Sequence, residues 1–187
     1  MGHKVRLHDK EFEIFITSEK IQARIAELAA QINHDFAGKR PLFVGVLNGA
    51  FLFAADLFKH LDIECEITFV KVSSYIGTSS TGKVKEIIGL NEDVAGRDIV
   101  FIEDIIDTGD TVKFLLGEVS RFKPANIYWA SMLSKPECLR HELKIDYMGF
   151  EVPNKFLVGY GLDYDGIGRN LNDLYIVKEV GGMRHEV

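Results

Sequence analysis

The chain has 187 residues, 47% of them apolar and 27% charged, a balance that suits one well-buried globular core and excludes disordered and fibrous classes. Its formal net charge of -6 excludes wholesale attraction to nucleic acid or an anionic membrane, so an anionic ligand must be gripped by local devices. Charges interrupt every apolar run of the opening MGHKVRLHDKEFEIF, which is not the pattern of a secretory signal, and no stretch reaches the ~18 apolar residues of a membrane span.

Cys65 and Cys138 are far apart and lack CxxC spacing, which argues against a disulfide framework or zinc site and points to a reducing cytoplasm. The histidines never recur at i, i+2 or i, i+4, so they read as surface or structural residues.

In chain order, Ser18 is placed to cap a helix whose apolar positions Ile21, Ile25, Leu28 and Ile32 recur at steps of three and four. LFVGVL at 42–47 is a buried strand and AFLFAADLFKHL at 50–61 a largely buried helix, a first βα unit. Residues 63–72, rich in β-branched side chains, predict a second strand. From 73 to 85 the sequence SSYIGTSSTGKVK loses periodicity and reads as a long mobile loop, functional rather than idle at that length, with a hairpin excursion as the alternative.

DIVFIE at 98–103 is a third strand, residues 111–122 have helical spacing up to Pro124, and NIYWASML at 126–133 is a fourth strand. Strands alternating with helices predict an α/β fold with a mostly parallel central sheet and right-handed crossovers. The later runs IDYMGF, KFLVGY and LYIVKE have no helices between them and predict a small antiparallel layer. A single domain is expected, with its core at about 36–145 and the smaller layer formed by the N-terminal segment and about 146–187.

Ligands of an open parallel sheet bind beyond the carboxyl ends of its strands, which directs attention to VFIEDIIDTGDT at 100–111. Glu103 and Asp104 close the third strand as adjacent carboxylates, which repel one another unless Mg2+ or a sugar diol satisfies them. In the turn Asp107-Thr108-Gly109-Asp110-Thr111, successive N–H groups can converge on an anion, the threonine hydroxyls add donors, and Gly109 lets the main chain approach. A DTG turn alone reads equally well as an ordinary helix cap. The acid pair shifts the balance, because a ribose 5-phosphate asks for donors at one end and acceptors for its hydroxyls at the other.

A strand, two acids, two apolar residues and DTGxT resemble the phosphoribosyl-pyrophosphate motif of type I phosphoribosyltransferases, and the likeness extends over most of the chain. It is strongest to the hypoxanthine-guanine branch: VLNGAFLFAADL is similar to its pyrophosphate loop, SSYIGTSSTGKVK to its flap, SMLSKP to its base-discriminating lysine segment and VPNKFLVGYGLDYDGIGRNLNDL to its purine-binding hood. The resemblance implies a type I phosphoribosyltransferase fold with an antiparallel hood, and Mg2+-dependent transfer of phosphoribosyl from phosphoribosyl pyrophosphate to hypoxanthine or guanine in purine salvage.

By the same resemblance, Asp107, Thr108, Gly109, Asp110 and Thr111 bind the 5-phosphate, and Glu103 and Asp104 serve the ribose and the developing cation. Asp107 is the group for proton transfer at purine N7. Asn48, Gly49 and Arg169 meet pyrophosphate. Lys135 donates to the 6-oxo group, Phe156 stacks on the purine, and the main chain at Leu157 and Asp163 reads its edge. Glu103, Asp104 and Asp163 serve Mg2+, and Ser74 and Tyr75 belong to the flap.

Taken alone, Lys135 reads as solvated surface and Phe156 as core. The chain departs from mammalian-like members at Leu47-Asn48-Gly49, where they carry Lys in place of Asn48, so no charge is expected there, while a cis peptide at Leu47-Asn48 is. Asp110 fills the variable position of the phosphate turn, and its charge must be turned away from phosphate. Homodimers or homotetramers are the family's implication. Enzymes acting on xanthine, adenine or pyrimidines are the nearer rivals, and an RNA-binding regulator on the same fold the more distant one, disfavoured by the absence of a basic face.

Overall fold

The computed structural model describes residues 4–74 and 84–178. In chain order it contains β1 (Lys4–Leu7), β2 (Lys10–Ile16), α1 (Ser18–Asp35), β3 (Leu42–Leu47), α2 (Phe51–Phe58), β4 (Glu66–Ser74), β5 (Val84–Ile88), β6 (Asp98–Ile106), α3 (Asp110–Val119), β7 (Asn126–Ser134), β8 (Tyr147–Glu151), β9 (Leu157–Val158) and β10 (Leu174–Val177). Two sheets result, the larger in the order β5-β4-β3-β6-β7-β8 and the smaller in the order β1-β2-β10-β9. In the larger sheet every pairing is parallel except that of β5 with β4.

Period-two alternation in the central strands sends side chains to two separate cores. Phe43, Val100 and Ile102 face α1 and α2, packing with Ile21, Ile25, Leu28 and Leu57. Val44, Ile99 and Phe101 face α3, packing with Val112, Leu115 and Val119. On that side Phe101 and Trp129, paired across β6 and β7, stack with centroids 4.6 Å apart.

Several expectations change in detail. Thr17, not Ser18, is the N-cap of α1, and the Ser18 N–H donates to Asp173 Oδ1 at 2.7 Å, so the residue just before β10 supplies the acceptor that the first turn needs. The helix expected over 111–122 ends at Val119 and tightens into a 3-10 turn, Ser120–Phe122, before Lys123 turns to φ +54 ahead of Pro124. The loop expected at 73–85 is flanked by strand at both ends: Ser73 and Ser74 finish β4 and pair with β5, which begins at Val84. The rest of that segment, residues 75–83, lies outside the described residues.

Another concerns IDYMGF. It does not join the antiparallel layer; as β8 it pairs parallel with β7, Ala130 opposite Tyr147, and completes the larger sheet. KFLVGY and LYIVKE contribute β9 and β10 to the antiparallel sheet as expected, and the N-terminal segment adds β1 and β2.

The strand order sets the location of the crevice. From β3 the chain moves outward to β4 and β5, then returns to lay β6 on the other side of β3, a topological switch point. The β3–β6 ladder ends at Gly45 opposite Ile102, whereas β6 runs on beside β7 to Ile106. Glu103 and Asp104 therefore lie inside β6 rather than at its end, where its β3 neighbour has already diverged.

Candidate active site

Beyond that divergence lies an open cleft of about 290 Å3, lined among others by Asn48 and Gly49 after β3, Glu103 and Asp104 of β6, Thr111 of α3, and Asp163 and Arg169 from the segment before β10. Residues separated by more than a hundred positions in sequence thus meet at the switch point. Lys135, Phe156 and Leu157 stand outside this lining.

The acid pair is the most strongly perturbed feature. Glu103 is 6% exposed, and burial, reinforced by the neighbouring Asp104 charge, raises its carboxyl well above the ordinary range. Burial also raises Asp104, partly offset by the Ile105 N–H, which donates to Asp104 Oδ1 at 2.8 Å, and by the charge of Arg169. Carboxylates held this way are poised for a hydroxyl-rich or cationic ligand.

The loop after β3 approaches Asp104 so closely that a Cβ on Gly49 would fall 1.4 Å from Asp104 Oδ2. On its other side Gly161, at φ +97, places its Cα where a Cβ would lie 2.1 Å from the Gly49 carbonyl. Only glycine at both positions lets these two loops and the acid pair share the space. The peptide bond Leu47-Asn48 is cis, as expected.

Arg169 fastens the far wall. Its Nη1 donates to the Gly161 carbonyl at 2.7 Å and its Nη2 lies 2.7 Å from Asp163 Oδ1, while Asp163 Oδ2 accepts the Gly166 N–H at 2.8 Å. The two side chains assigned to opposite charges of one ligand are paired with each other. No cluster of three or more His, Cys, Asp or Glu side chains is assembled for a metal among the described residues. The carboxylates lining the cleft, Glu103, Asp104 and Asp163, fit an ion that arrives with phosphate oxygens and water, which is how Mg2+ is commonly held, and not a closed protein cage.

The phosphate turn is built by Gly109, the N-cap of α3 at φ +81, with the Leu143 side chain packed where a Cβ would project. The Asp110 N–H donates to Thr108 Oγ1 at 3.3 Å, and the Thr108 carbonyl accepts the Arg140 N–H at 3.0 Å. The Asp110 carboxylate is turned to Arg140 Nη1 at 3.2 Å and His141 Nε2 at 2.9 Å. Hydrogen bonding by His141, then by Thr108, with help from the Arg140 charge, holds its carboxyl below the ordinary range.

On the base side, the Lys135 N–H continues the β6–β7 ladder to the Ile106 carbonyl at 3.0 Å, and Lys135 Nζ lies 3.1 Å from Asp107 Oδ2. Phe156 is 41% exposed, so it is not the core residue that its apolar context suggests, whereas Leu157 is buried in β9. Ser74 lies at the end of β4, and Tyr75 falls outside the described residues.

Three arrangements were missed at the level of sequence. Arg140 and His141 reach Asp110; Tyr160 OH donates to Asp56 Oδ2 at 2.9 Å; and Tyr164 joins the β1–β2 turn. The advance signal for the two tyrosines was the aromatic pair spaced among glycines in GYGLDYDG, and for Asp110 the need to turn its charge away from phosphate.

This fold and cleft define a phosphosugar-transferring class, and the family model described as Phosphoribosyl transferase domain matches residues 15–165, so the chain belongs to the phosphoribosyltransferase family. Within it, a Streptococcus mutans protein named hypoxanthine-guanine phosphoribosyltransferase is 43% identical over 169 residues, covering 89% of this chain and 93% of that protein. A crystal structure of a hypoxanthine-guanine phosphoribosyltransferase from Bacillus anthracis superimposes with TM-score 0.80 at 37% identity, covering 88% of this chain and 96% of the other. The Trypanosoma cruzi hypoxanthine phosphoribosyl transferase does so with TM-score 0.83 at 31% identity, covering 93% and 95%.

Proposed function

We propose that this chain catalyses purine salvage by transferring the 5-phosphoribosyl group of phosphoribosyl pyrophosphate to hypoxanthine or guanine, giving IMP or GMP and pyrophosphate. The observation that carries it is the meeting, at one switch point, of the acid pair Glu103-Asp104, the Asn48-Gly49 loop and Thr111 of the phosphate turn. The names of the relatives at 43% and 37% identity support the choice of purine.

The N–H groups and hydroxyls from Asp107 to Thr111 take the 5-phosphate, with the Asp110 charge met by Arg140 and its carboxylate hydrogen-bonded to His141. Glu103 and Asp104 accept from the ribose hydroxyls, which favours their ionised forms against the burial that raises both carboxyls, and the charge then stabilises the cationic character that develops as the pyrophosphate bond breaks. The main chain at Asn48 and Gly49 and the guanidinium of Arg169 meet the leaving pyrophosphate. Asp163, Glu103 and Asp104 would hold Mg2+, which would supply charge neutralisation at the leaving group.

Lys135 Nζ donates to the 6-oxo group, an interaction that the amino group of adenine cannot accept. Phe156 stacks on the purine, with the main chain at Leu157 and Asp163 reading its edge. Asp107 exchanges the proton at N7. Ser74 and Tyr75 belong to the segment that covers the reacting bond, excluding water that would hydrolyse the donor. No helix among the described residues is long and apolar enough to cross a membrane, and a cytoplasmic homodimer or homotetramer is the setting proposed.

The test is direct. The protein is mixed with phosphoribosyl pyrophosphate, Mg2+ and in turn hypoxanthine, guanine, xanthine and adenine, and nucleotide and pyrophosphate are measured. Hypoxanthine or guanine should be consumed; no nucleotide from any base would overturn the reading.

A further inference from the structure

The family match begins at residue 15, which leaves β1, its turn and the start of β2 outside it. Leu7 pairs with Lys10, so His8 and Asp9 form a tight two-residue turn, with His8 at φ +49. This turn reaches across to Tyr164, the residue immediately after the cleft residue Asp163. Tyr164 OH donates to Asp9 Oδ1 and accepts from Lys10 Nζ at 3.0 Å. The His8 ring stands edge-on to the Tyr164 ring, centroids 5.1 Å apart and planes at 87°. The Tyr164 main chain is fixed as well, its N–H donating to the Ile167 carbonyl at 2.8 Å.

Tyr164 in turn makes an edge contact with Phe156, centroids 5.2 Å apart and planes at 73°. Phe12 of β2, wholly buried, completes the support, 6.1 Å from Phe156 and 6.2 Å from Tyr164. Phe156 is thus gripped from the side of β2 and Tyr164 while it remains 41% exposed. A ring that is to stack on a planar ligand gains from being held beforehand, because its rotamer freedom is then not lost on binding. The two hydrogen bonds to the hydroxyl are what a phenyl ring at 164 would lack, and they tie ring orientation to a turn far from the phosphate end.

We infer that the N-terminal turn, through Asp9 and Lys10 acting on Tyr164, holds the Phe156 ring in place for the purine, making these three residues positioning residues for base recognition. The inference rests on the reading of Phe156 as the ring that stacks on the purine. It assigns a role in base affinity to a segment that lies outside the family domain.

Steady-state kinetics with hypoxanthine and phosphoribosyl pyrophosphate test it on the full chain, comparing wild type, Tyr164→Phe, Phe156→Leu and the double variant. Tyr164→Phe should raise the KM for hypoxanthine by roughly 3–10-fold while kcat and the donor KM stay within about 2-fold. In the Phe156→Leu background the same substitution should have no further effect on the purine KM. Lys10→Met, which leaves the ring and its packing intact, should reproduce part of the rise, and Lys10→Arg should restore it. A role confined to stability would lower the melting temperature without splitting the two KM values. An unchanged purine KM in Tyr164→Phe, or a full effect persisting without Phe156, overturns the inference while leaving the proposed reaction standing. A wild-type enzyme whose purine KM is indifferent to Phe156→Leu overturns the stacking role and this inference with it; no nucleotide from wild type sinks both at once.

Discussion

Lys135 Nζ lies 3.1 Å from Asp107 Oδ2, joining the end of β7 to the phosphate turn after β6. The lysine side chain is 12% exposed and the aspartate 48%, so the pair is anchored from the protein side and opens toward solvent. An ammonium has three donors, and one partner leaves others for a purine oxygen. The pair therefore orients both groups proposed to address the base, one at its 6-position and one at N7.

Asp107→Asn keeps the shape of the turn and loses the proton acceptor. The expected outcome is a kcat reduced by roughly 100-fold or more with the donor KM changed by less than about 3-fold. Steady-state kinetics in both substrates check this, and an unchanged kcat removes Asp107 as the group that moves the proton.

Lys135→Met removes the 6-oxo donor and strands Asp107 without its cation. The kcat/KM for hypoxanthine should fall by roughly 10–100-fold, whereas the slow or absent reaction with adenine should not worsen, so discrimination between the two bases shrinks. Parallel assays with both bases decide it, and an equal proportional loss on both would assign Lys135 to the fold instead.

How much of this was visible beforehand depended on whether the chemistry lay within one stretch of chain. Glu103, Asp104 and the DTGDT turn are contiguous, and their order along a strand and into a helix was enough to read a phosphosugar site. IDYMGF was misassigned because a short apolar run looks alike in a parallel or an antiparallel strand, and the usual crossover helix between β7 and β8 is replaced by a 3-10 turn, Pro136–Cys138, and irregular chain. The contact of Gly49 with Gly161, the capping of α1 by Asp173, and the grip of Asp9 and Lys10 on Tyr164 are tertiary meetings between distant segments. Local periodicity contains no information on such meetings. Asp110 was half legible: a carboxylate in an anion-binding turn required compensation, but nothing in the order of residues said that Arg140 and His141 would supply it.

Glu103→Gln should stabilise the ligand-free protein while reducing activity. The buried carboxylate beside Asp104 is costly in the absence of a ligand, and an amide of the same size removes the repulsion. A gain of about 1–2 kcal/mol is expected, which for a chain of this size is roughly 2–4 °C in melting temperature per kcal/mol. Thermal melts without ligand measure it; a lowered melting temperature would show that the acid makes a stabilising contact in the free protein.

Gly49→Ala tests the close approach of the two loops. Its Cβ would meet Asp104 Oδ2 at 1.4 Å, so either the acid or the loop must shift. Activity should drop at least about 10-fold with a stability loss of roughly 1–3 kcal/mol. Activity and melting temperature both equal to wild type would mean that the cleft accommodates a methyl group where the structure leaves no space.

Asp110 supplies a pH-dependent prediction. Its carboxyl is held below the ordinary 3.8 chiefly by His141 and Thr108, with burial working weakly against them and the Arg140 charge in support. For an acid with a lowered folded value, the folded state binds the proton less readily than the unfolded chain. Its contribution to stability is therefore complete above the ordinary value and is lost as pH falls through the lowered one. Wild type should melt slightly above Asp110→Asn near neutral pH, and the two curves should converge below about pH 4 as the carboxylate protonates. The same substitution leaves Arg140 without its counter-charge beside the phosphate turn. The donor KM should then fall by roughly 2–3-fold at low ionic strength and return toward the wild-type value as salt is added. A donor KM that rises instead would mean that Asp110 holds the turn in shape, and that its charge is not a burden Arg140 relieves.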